Sequence, residues 1–492
     1  MFVFQRVHCW FALFAVVGFG VQGLVSNAGA LSVVFADLPF PIPYINGRTF
    51  HVNISFYWMF AGLVSGIFYF FSPIRNKKAN YFAAAIFLLY AFGTMFIQAI
   101  VALHFTIIRE YLEGPVVLRA FLLIPLVMLN IYLIRSLAET VKGQGRLIPV
   151  SIVTGMAVLT AFYGATVYYY TNPGLEEYYR FLTFHIGVES SAELISLALT
   201  GLLLMKLAGV DRPKAALVVF SAAGVAVITM LIAGAGYLIW PGNRLVITLA
   251  GIGFSTLHLL SAIAFLVLLA RQIQKGLFKK IGYRSVISLA LAASSLFYHI
   301  IGAGLLGLFL AYPATHQYMQ GTYAVSAHSH LAMFGVFGFL ALALSSCILL
   351  EFVQVTKAES RRCLGGILLL HSGMLTMAAG LVFAGGLQTY LLHVINVDMS
   401  VVNVLVGPCL LVRVGGGILY MLGSLLVAYT ILKVVWQQRA EVFGYGTGQR
   451  SLIALYKSYV KLLQKQKELL PVMQRISILQ KIQAIINNLP KK

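Results

Sequence analysis

The stretch "GTYAVSAHSHLAMFG", Gly321–Gly335, places two histidines two positions apart in an otherwise apolar sequence. Burying an imidazole in a hydrocarbon environment costs free energy unless a partner binds the ring. Residues two apart on an α-helix are rotated by about 200°, so His328 and His330 leave opposite faces of one helix. They cannot hold the same metal ion, and the pattern predicts that each ring binds a different partner on its own side of the helix.

The chain around this stretch has the composition of a membrane protein, because 60% of its 492 residues are hydrophobic and only 10% are charged. Apolar stretches near the length that crosses a bilayer, about 20 residues, recur throughout. The first lacks a small-residue cleavage site, and we interpret it as a retained helix. The sequence predicts an all-α integral membrane protein with twelve transmembrane helices, at 8–28, 51–72, 80–105, 116–136, 147–170, 182–207, 214–239, 246–270, 285–311, 322–350, 364–390 and 405–436.

The basic residues are distributed unequally between the two sides of these spans. All but six of the 35 Lys and Arg residues fall in alternate loops, near Arg6 and in the carboxy-terminal tail. The positive-inside rule therefore predicts a multi-pass protein of the prokaryotic cytoplasmic membrane with both termini in the cytoplasm. The same asymmetry accounts for the net charge of +21. Lipid is the expected partner, and nucleic-acid binding need not be invoked.

A change of composition near Gly444 predicts two domains, a transmembrane domain at 1–443 and a cytoplasmic tail at 444–492. The tail segment "RSLIALYKSYVKLLQKQKELL" (450–470) has apolar residues at helical spacing and lysines four apart. These features indicate a basic amphipathic helix on the anionic inner leaflet. A docking helix for a partner protein is the alternative.

The four cysteines exclude one class of haem site. No pair has CxxC spacing, and the CxxCH signature of covalently attached c-type haem is absent. Neutral imidazole is a ligand of haem iron, so haem bound by His328 and His330 would be held without a covalent link to cysteine.

Three further segments join "GTYAVSAHSHLAMFG" in the same order as in one known family. They are "GRTFHVNISFYW" (47–58), "REYLE" (109–113) and "HIGVESSAE" (185–193). Together these segments resemble the large, catalytic subunit of nitric oxide reductase, a branch of the haem–copper oxidase superfamily, over most of the chain. The resemblance implies the twelve-helix bundle of subunit I of that superfamily.

The resemblance implies two b-type haems. His51 and His330 would be the axial ligands of a low-spin haem that accepts and passes electrons. His328 would hold a high-spin haem with one open face. In that case an iron–nitrogen bond offsets the cost of burying each ring.

The resemblance also implies a non-haem iron and acidic residues around it. His185 and Glu189 would bind the iron, since a carboxylate with imidazole suits iron better than copper, and Glu193 would be an inner proton donor. On the opposite side, Glu110 would help to bind a calcium ion between haem carboxylates, and Glu113 would line a proton entry route. We expect Glu189, Glu193 and Glu113 to take part in catalysis.

The resemblance is incomplete around the second metal. The family takes two more iron ligands from adjacent histidines in the seventh span, where this chain reads "AGAGYLIWPGN" (233–243), and no such pair occurs anywhere in the chain. His258 stands in the place of a family glutamate, and His299 in that of an asparagine. Two accounts stay open. Either His185, Glu189 and a relocated His258 or His299 form a different metal site, or the site is lost.

The resemblance implies the reduction of two nitric oxide molecules to nitrous oxide, with an altered or lost metal site. Quinol-fed relatives carry a long hydrophilic amino-terminal extension, whereas the first predicted span of this chain begins at residue 8. We therefore expect electrons to come from a cytochrome c-type subunit or a soluble cytochrome.

Three alternatives to nitric oxide reduction are an oxygen-reducing terminal oxidase, a non-catalytic dihaem protein for electron transfer or gas binding, and a secondary transporter. Glu189 in the position of the oxidase tyrosine disfavours the first. A secondary transporter is disfavoured because the loop "SPIRNKKAN" (72–80) lacks an Asp-Gly-Arg pattern and the sequence shows no internal repeat.

Overall fold

The computed structural model describes residues 6–35, 44–71, 77–103, 114–140, 147–168, 170–210, 216–225, 227–228, 245–271 and 281–443, together with residues 480 and 483. Within these ranges all regular structure is helical. The predicted tail helix at 450–470 lies outside the described residues, and the domain boundary at 443 stays a prediction.

The α-helices are numbered in chain order. They are α1 (Val7–Val34), α2 (Tyr44–Phe70), α3 (Lys77–Ala102), α4 (Val116–Thr140), α5 (Leu147–Ala165), α6 (Pro173–Leu182), α7 (Ser190–Ala208), α8 (Ala216–Val225), α9 (Leu245–Ala270), α10 (Tyr283–Tyr298), α11 (Gly307–Ala311), α12 (Pro313–Met319), α13 (Tyr323–Ser329), α14 (Phe339–Leu350), α15 (Lys357–His393), α16 (Met399–Leu405), α17 (Gly407–Gln437) and α18 (Arg439–Phe443).

Ten helical segments in the described part of the chain are long and apolar enough to cross a membrane. They coincide with ten of the predicted spans, so the all-helical membrane architecture is confirmed. At the seventh and eighth predicted spans the described residues include shorter apolar helices, Ala216–Val225 and Ile252–Leu268. The count of twelve spans therefore stays a prediction.

The segment that carries His328 and His330 is the most deeply buried of the ten. Its most apolar window, within Tyr323–Leu350, is 94% buried inside the protein, against 78% or less for each of the others. Phe334, one turn after His330, packs against Phe339 and Tyr420 with ring centroids 5.0 Å apart in both pairs. Aromatic contacts of this kind fix the segment in the centre of the bundle.

In the described part of the chain three π-helical segments interrupt the α-helical geometry, and they lie beside the candidate functional residues. They are Thr183–Glu189 before α7, His299–Leu306 after α10 and His330–Gly338 before α14. A π-helix bonds residue i to i+5, so each segment changes the direction of the side chains that follow it. His185 and Glu189 lie in the first of these segments, so α-helical spacing does not decide which side chains share a face there.

Glycines let α15 and α17 approach closely. A Cβ atom on Gly373 would lie 2.4 Å from the Tyr420 nitrogen, and one on Gly416 would lie 2.4 Å from the Met377 nitrogen. Small residues at helix contacts allow such backbone proximity inside membranes. The contact fixes the position of Tyr420, which matters for the site described below.

A polar cluster joins four helix ends at one end of the bundle. Lys206 at the end of α7 places Nζ 2.8 Å from Glu351 Oε1, and the Tyr69 hydroxyl at the end of α2 donates to Oε2 at 2.6 Å. Arg284, at the start of α10, donates to the carbonyl oxygen of Glu351. These contacts agree with an up-and-down arrangement that brings the basic loops together. The assignment of this end to the cytoplasm stays a prediction.

We expect Glu351→Gln to destabilise the protein at neutral pH but not at acid pH. Burial raises the pKa of the Glu351 carboxyl, but the hydrogen bonds from Lys206 and Tyr69 outweigh it and hold that pKa below its usual range. A carboxylate whose pKa is lowered by folding stabilises the protein above its unfolded-state pKa, and this contribution is lost as the pH falls through the folded-state value. Thermal unfolding in detergent should therefore show a difference of about 0.5–1 kcal/mol at pH 7 for this half-exposed pair. A difference of equal size at pH 4 and pH 7 would contradict this origin.

Candidate functional site

The candidate haem ligands line one cavity together with Glu189, Glu193, His258 and His299. Its volume is about 550 Å³, within the range of about 300–1,000 Å³ for pockets that hold small molecules and cofactors. It lies among α1, α2, α7, α9, the π-helical segment after α10, α11, α15, α17 and the segment from Tyr323 to Gly338. Its titratable lining residues are Arg48, His51, Glu189, Glu193, His258, His299, His316, Tyr323, His328, His330, Arg413 and Tyr420.

His51 and His330 face each other across this cavity. Their ring centroids are 6.1 Å apart and their planes differ by 20°. An imidazole nitrogen binds a metal ion at about 2 Å. The separation therefore accommodates one metal ion between two ring nitrogens, and the pair fits two axial haem ligands.

Hydrogen bonds at Nδ1 orient the three histidines, His328 and His330 through backbone oxygens and His51 through the side-chain amide nitrogen of Gln22. His330 Nδ1 lies 2.7 Å from the Ser326 carbonyl oxygen, and His328 Nδ1 lies 3.0 Å from that of Gly302. His51 Nδ1 lies 3.3 Å from the Gln22 amide. A ring whose Nδ1–H is held by an oxygen presents its Nε2 lone pair as the metal-binding atom. The donor set and its orientation fit non-covalent haem.

Gln22 and Tyr420 form a second layer behind His51, which the sequence did not point to. The Tyr420 hydroxyl donates to Gln22 Oε1 at 2.8 Å, and both side chains are buried. With a metal on His51 Nε2, Nδ1 carries the proton, and the Gln22 amide must turn so that its oxygen accepts from it. The amide nitrogen then donates to Tyr420, so the tyrosine holds Gln22 in either orientation.

Glu193, His258 and His299 come together in the wall of the cavity. The Nε2 atom of His299 lies 2.8 Å from Glu193 Oε1, and that of His258 lies 3.7 Å from the same oxygen. One ligand atom from each of the three residues lies within 4.8 Å of the others. Among the described residues this is the one group of His, Cys, Asp or Glu side chains with metal-ligand spacing.

The structure places the predicted metal ligands as follows. Glu189 lines the same cavity but lies outside the group of three, whereas His258 lies within it. Glu193, expected as a proton donor, lies at the centre of that group. His185 lies in the π-helical segment Thr183–Glu189, and its side chain is outside the described residues.

The sequence positions tied to the family's other sites lie outside the described ranges. They are Glu110 and Glu113 of the acidic loop, and the stretch 233–243 where the histidine pair is missing. The calcium site and the proton entry route therefore stay predictions.

A second, apolar cavity adjoins the first. Its volume is about 180 Å³, and it extends between α2, α4, α5 and α7. The two cavities share five lining residues, Phe56, Met59, Phe184, Met333 and Phe337. An apolar space of this kind admits uncharged molecules and disfavours ions.

Comparison with known proteins places this geometry in a family. Residues 6–419 match the family described as "Cytochrome C and Quinol oxidase polypeptide I". A nitric oxide reductase subunit of Stutzerimonas stutzeri is 23% identical over 403 residues, which cover 77% of this chain and 83% of that protein. A cryo-EM structure of a heme-copper terminal oxidase dimer superposes with a TM-score of 0.65 at 12% identity, covering 87% of this chain and 84% of that one. The structural likeness establishes the fold alone.

For a haem with His51 as its ligand, we expect Tyr420→Phe to raise the midpoint potential. A hydrogen-bond acceptor at Nδ1–H makes the ring a stronger donor to iron, which favours the oxidised state, and loss of the tyrosine hydroxyl weakens that acceptor. A shift of about 30–60 mV corresponds to a three- to tenfold change in the redox equilibrium. Optical redox titration of the purified protein measures it.

Tyr90→Phe is the matched control for this titration. Tyr90 is equally buried, but its hydroxyl donates to the Tyr57 carbonyl oxygen at 2.6 Å, away from His51. Equal shifts in both variants, or no shift in Tyr420→Phe, would contradict a role for Tyr420 in orienting His51.

Proposed function

The chain belongs to the cytochrome c and quinol oxidase polypeptide I family, and on that premise we propose that it is a membrane-bound dihaem reductase of nitric oxide. The family match and the ten apolar helices make it a multi-pass integral membrane protein of bacterial type, as the sequence predicts. The finer assignment, two b-type haems and nitric oxide as substrate, is the proposal. Its main support is the placement of His51, His328 and His330 around one cavity.

The three histidines would serve two haems with different functions. Haem supplies iron that takes up and releases single electrons and, with an open axial position, binds small gases. His51 and His330 would fill both axial positions of one haem, which leaves no position there for substrate and suits electron transfer. His328 would hold the other haem from one side only. Because His328 and His330 belong to one rigid segment, they fix the two haem positions relative to each other.

The residues across the cavity provide the rest of the reaction site. Reduction of two nitric oxide molecules to nitrous oxide and water consumes two electrons and two protons. Glu189 lines the cavity and precedes Glu193 by four residues in the sequence. A buried carboxyl group in this position can hold a proton and release it to an oxygen atom within the cavity.

The apolar cavity supports a gaseous substrate. It reaches the main cavity through five shared apolar side chains, among them Phe56 and Met333. Nitric oxide and oxygen are small and uncharged, so neither requires polar partners along such a path. The same apolar lining keeps ions away from the reaction site.

The electron donor and the membrane orientation complete the proposal. We assign the Lys206–Glu351 end of the bundle to the cytoplasm and a cytochrome c-type electron donor to the opposite side. We also assign twelve spans to the bundle. The charge distribution of the loops supports this orientation, and the relative in Stutzerimonas stutzeri is by name part of a nitric oxide reductase. Calcium binding at Glu110 and proton entry at Glu113 belong to the same proposal.

We expect the two haems to respond separately to loss of their ligands. His328→Ala should remove the high-spin haem and leave the low-spin spectrum intact, because its ring leaves the opposite face from His330. His51→Ala should abolish the low-spin spectrum alone. Reduced-minus-oxidised spectra and haem quantification distinguish these outcomes. Full occupancy of both haems in either variant would show that the ligand assignment is wrong.

We expect anaerobic turnover of nitric oxide to nitrous oxide by the purified protein supplied with a reduced electron mediator. Glu189→Gln should lower that turnover by about 10²-fold, the usual contribution of a positioned acid, without changing the haem spectra. Glu176→Gln, on α6 outside the cavity, is the matched control. Oxygen consumption in the absence of nitric oxide turnover would point to a terminal oxidase instead. Absence of both activities would point to an electron-transfer or gas-binding protein.

A further inference from the structure

We infer that Glu193, His258 and His299 bind a non-haem iron ion in the wall of the haem cavity. This ligand set differs from the one that the resemblance implies, in which His185, Glu189 and a histidine pair hold the metal. The inference rests on the same cavity as the proposed function. It does not require that nitric oxide is the substrate.

The distances between the three side chains fit a metal site. Three donors that each lie about 2.1 Å from one ion are separated from one another by about 3.0–3.4 Å. The Glu193–His299 separation of 2.8 Å and the His258–Glu193 separation of 3.7 Å lie on either side of this range. The ligand atoms of His258 and His299 lie within 4.8 Å of each other, so rotation of these side chains would have to bring the two nitrogens closer together. The hydrogen bond between His299 and Glu193 holds a proton that metal binding would displace.

The burial of this group favours binding of a cation. Glu193 and His299 are only 5% and 7% exposed, and the His258 side chain is 15% exposed. A carboxylate and two imidazoles in the interior of a membrane protein need partners that satisfy their charge and lone pairs. One divalent cation satisfies all three residues at once.

The donor chemistry favours iron. Two imidazoles and one carboxylate on one side of an ion, with further positions open, form the ligand set of non-haem iron(II) sites. Copper sites of proteins favour imidazole and sulfur ligands, and the described cysteines lie outside this group. Because all three ligands also line the cavity, the open positions of the ion would face the space in which a gas molecule binds.

Three separate elements supply the ligands, which explains how the site can differ from the family pattern. Glu193 lies on α7, His258 on α9 and His299 at the start of the π-helical segment His299–Leu306. That segment contacts α9 directly. The missing pair in 233–243 is thereby replaced by one histidine from each of the next two spans. In this arrangement Glu193 is a metal ligand, and Glu189 is left as the proton-carrying carboxyl group.

Metal analysis of the full-length protein tests this inference. Total iron from mass spectrometry, compared with haem from pyridine haemochrome spectra, should give one iron per chain beyond the haem iron. The reduced protein exposed to nitric oxide should also show the electron paramagnetic resonance signal of a high-spin non-haem iron–nitrosyl. His258→Ala, His299→Ala and Glu193→Gln should each lower the non-haem iron by about tenfold or more, since even second-layer residues change metal affinity by 10–100-fold.

Two further variants separate this ligand set from its competitors. His371→Ala is the matched control, because the His371 ring forms hydrogen bonds with Ser294 and Tyr298 and is not part of the cavity lining. It should keep the non-haem iron. Glu189→Gln should also keep it. Loss of iron in Glu189→Gln together with its retention in Glu193→Gln would overturn the inference in favour of the family's ligand position.

The metal content decides the remaining outcomes. Iron equal to the haem content would show that the three residues form a hydrogen-bonded cluster without a metal. Copper or zinc in place of the third iron would overturn the assignment to iron. Unchanged haem spectra confirm that each variant is folded. A chain that holds the third iron but does not reduce nitric oxide supports this inference and contradicts the proposed reaction, so the two failures are distinguishable.

Discussion

The cost of placing imidazole rings inside a membrane is the constraint on which the rest of the site depends. His51, His328 and His330 lie in helices whose surroundings are apolar, and an unsatisfied ring there would cost several kcal/mol. The protein satisfies Nδ1 of His328 and His330 with backbone oxygens, and it brings Gln22 to His51. What remains at His328 and His330 is a directed Nε2 atom, and a turn of the Gln22 amide would give the same at His51. The site is therefore prepared for metal ligation before any cofactor is considered.

Local features of the sequence were sufficient to predict the membrane architecture. Apolar stretches about 20 residues long correspond to helices because an uninterrupted helix is the way a single segment satisfies its backbone in lipid. The two-residue spacing of His328 and His330 likewise predicted rings on opposite faces. His330 starts a π-helical segment and His328 precedes it, so both lie where α-helical spacing still holds.

The group of Glu193, His258 and His299 could not be predicted from spacing. Glu189 ends one π-helical segment and His299 begins another, and each segment changes the faces on which the following side chains lie. The three residues are also far apart in sequence, so only the packing of α7, α9 and the segment after α10 brings them together. Likewise the contact from Tyr420 to Gln22 joins α17 to α1, and it depends on the close approach of α15 and α17 at Gly373 and Gly416. One indication of this group was available in the sequence, because His258 and His299 occupy positions where the family has other residues.

The candidate haem ligands match the family whereas the candidate second metal site departs from it, and the two depend on different amounts of structure. His328 and His330 belong to one short segment, so moving either histidine would also move the proposed haem and the packing around it. The second site depends on side chains from separate helices that surround a single small ion. An ion can accept a new donor set when the donors converge on it, and α9 contacts the His299 segment, with the His258 and His299 ring centroids 6.2 Å apart. Replacement of ligands at that ion therefore changes the chemistry of the cavity without changing the bundle that encloses it.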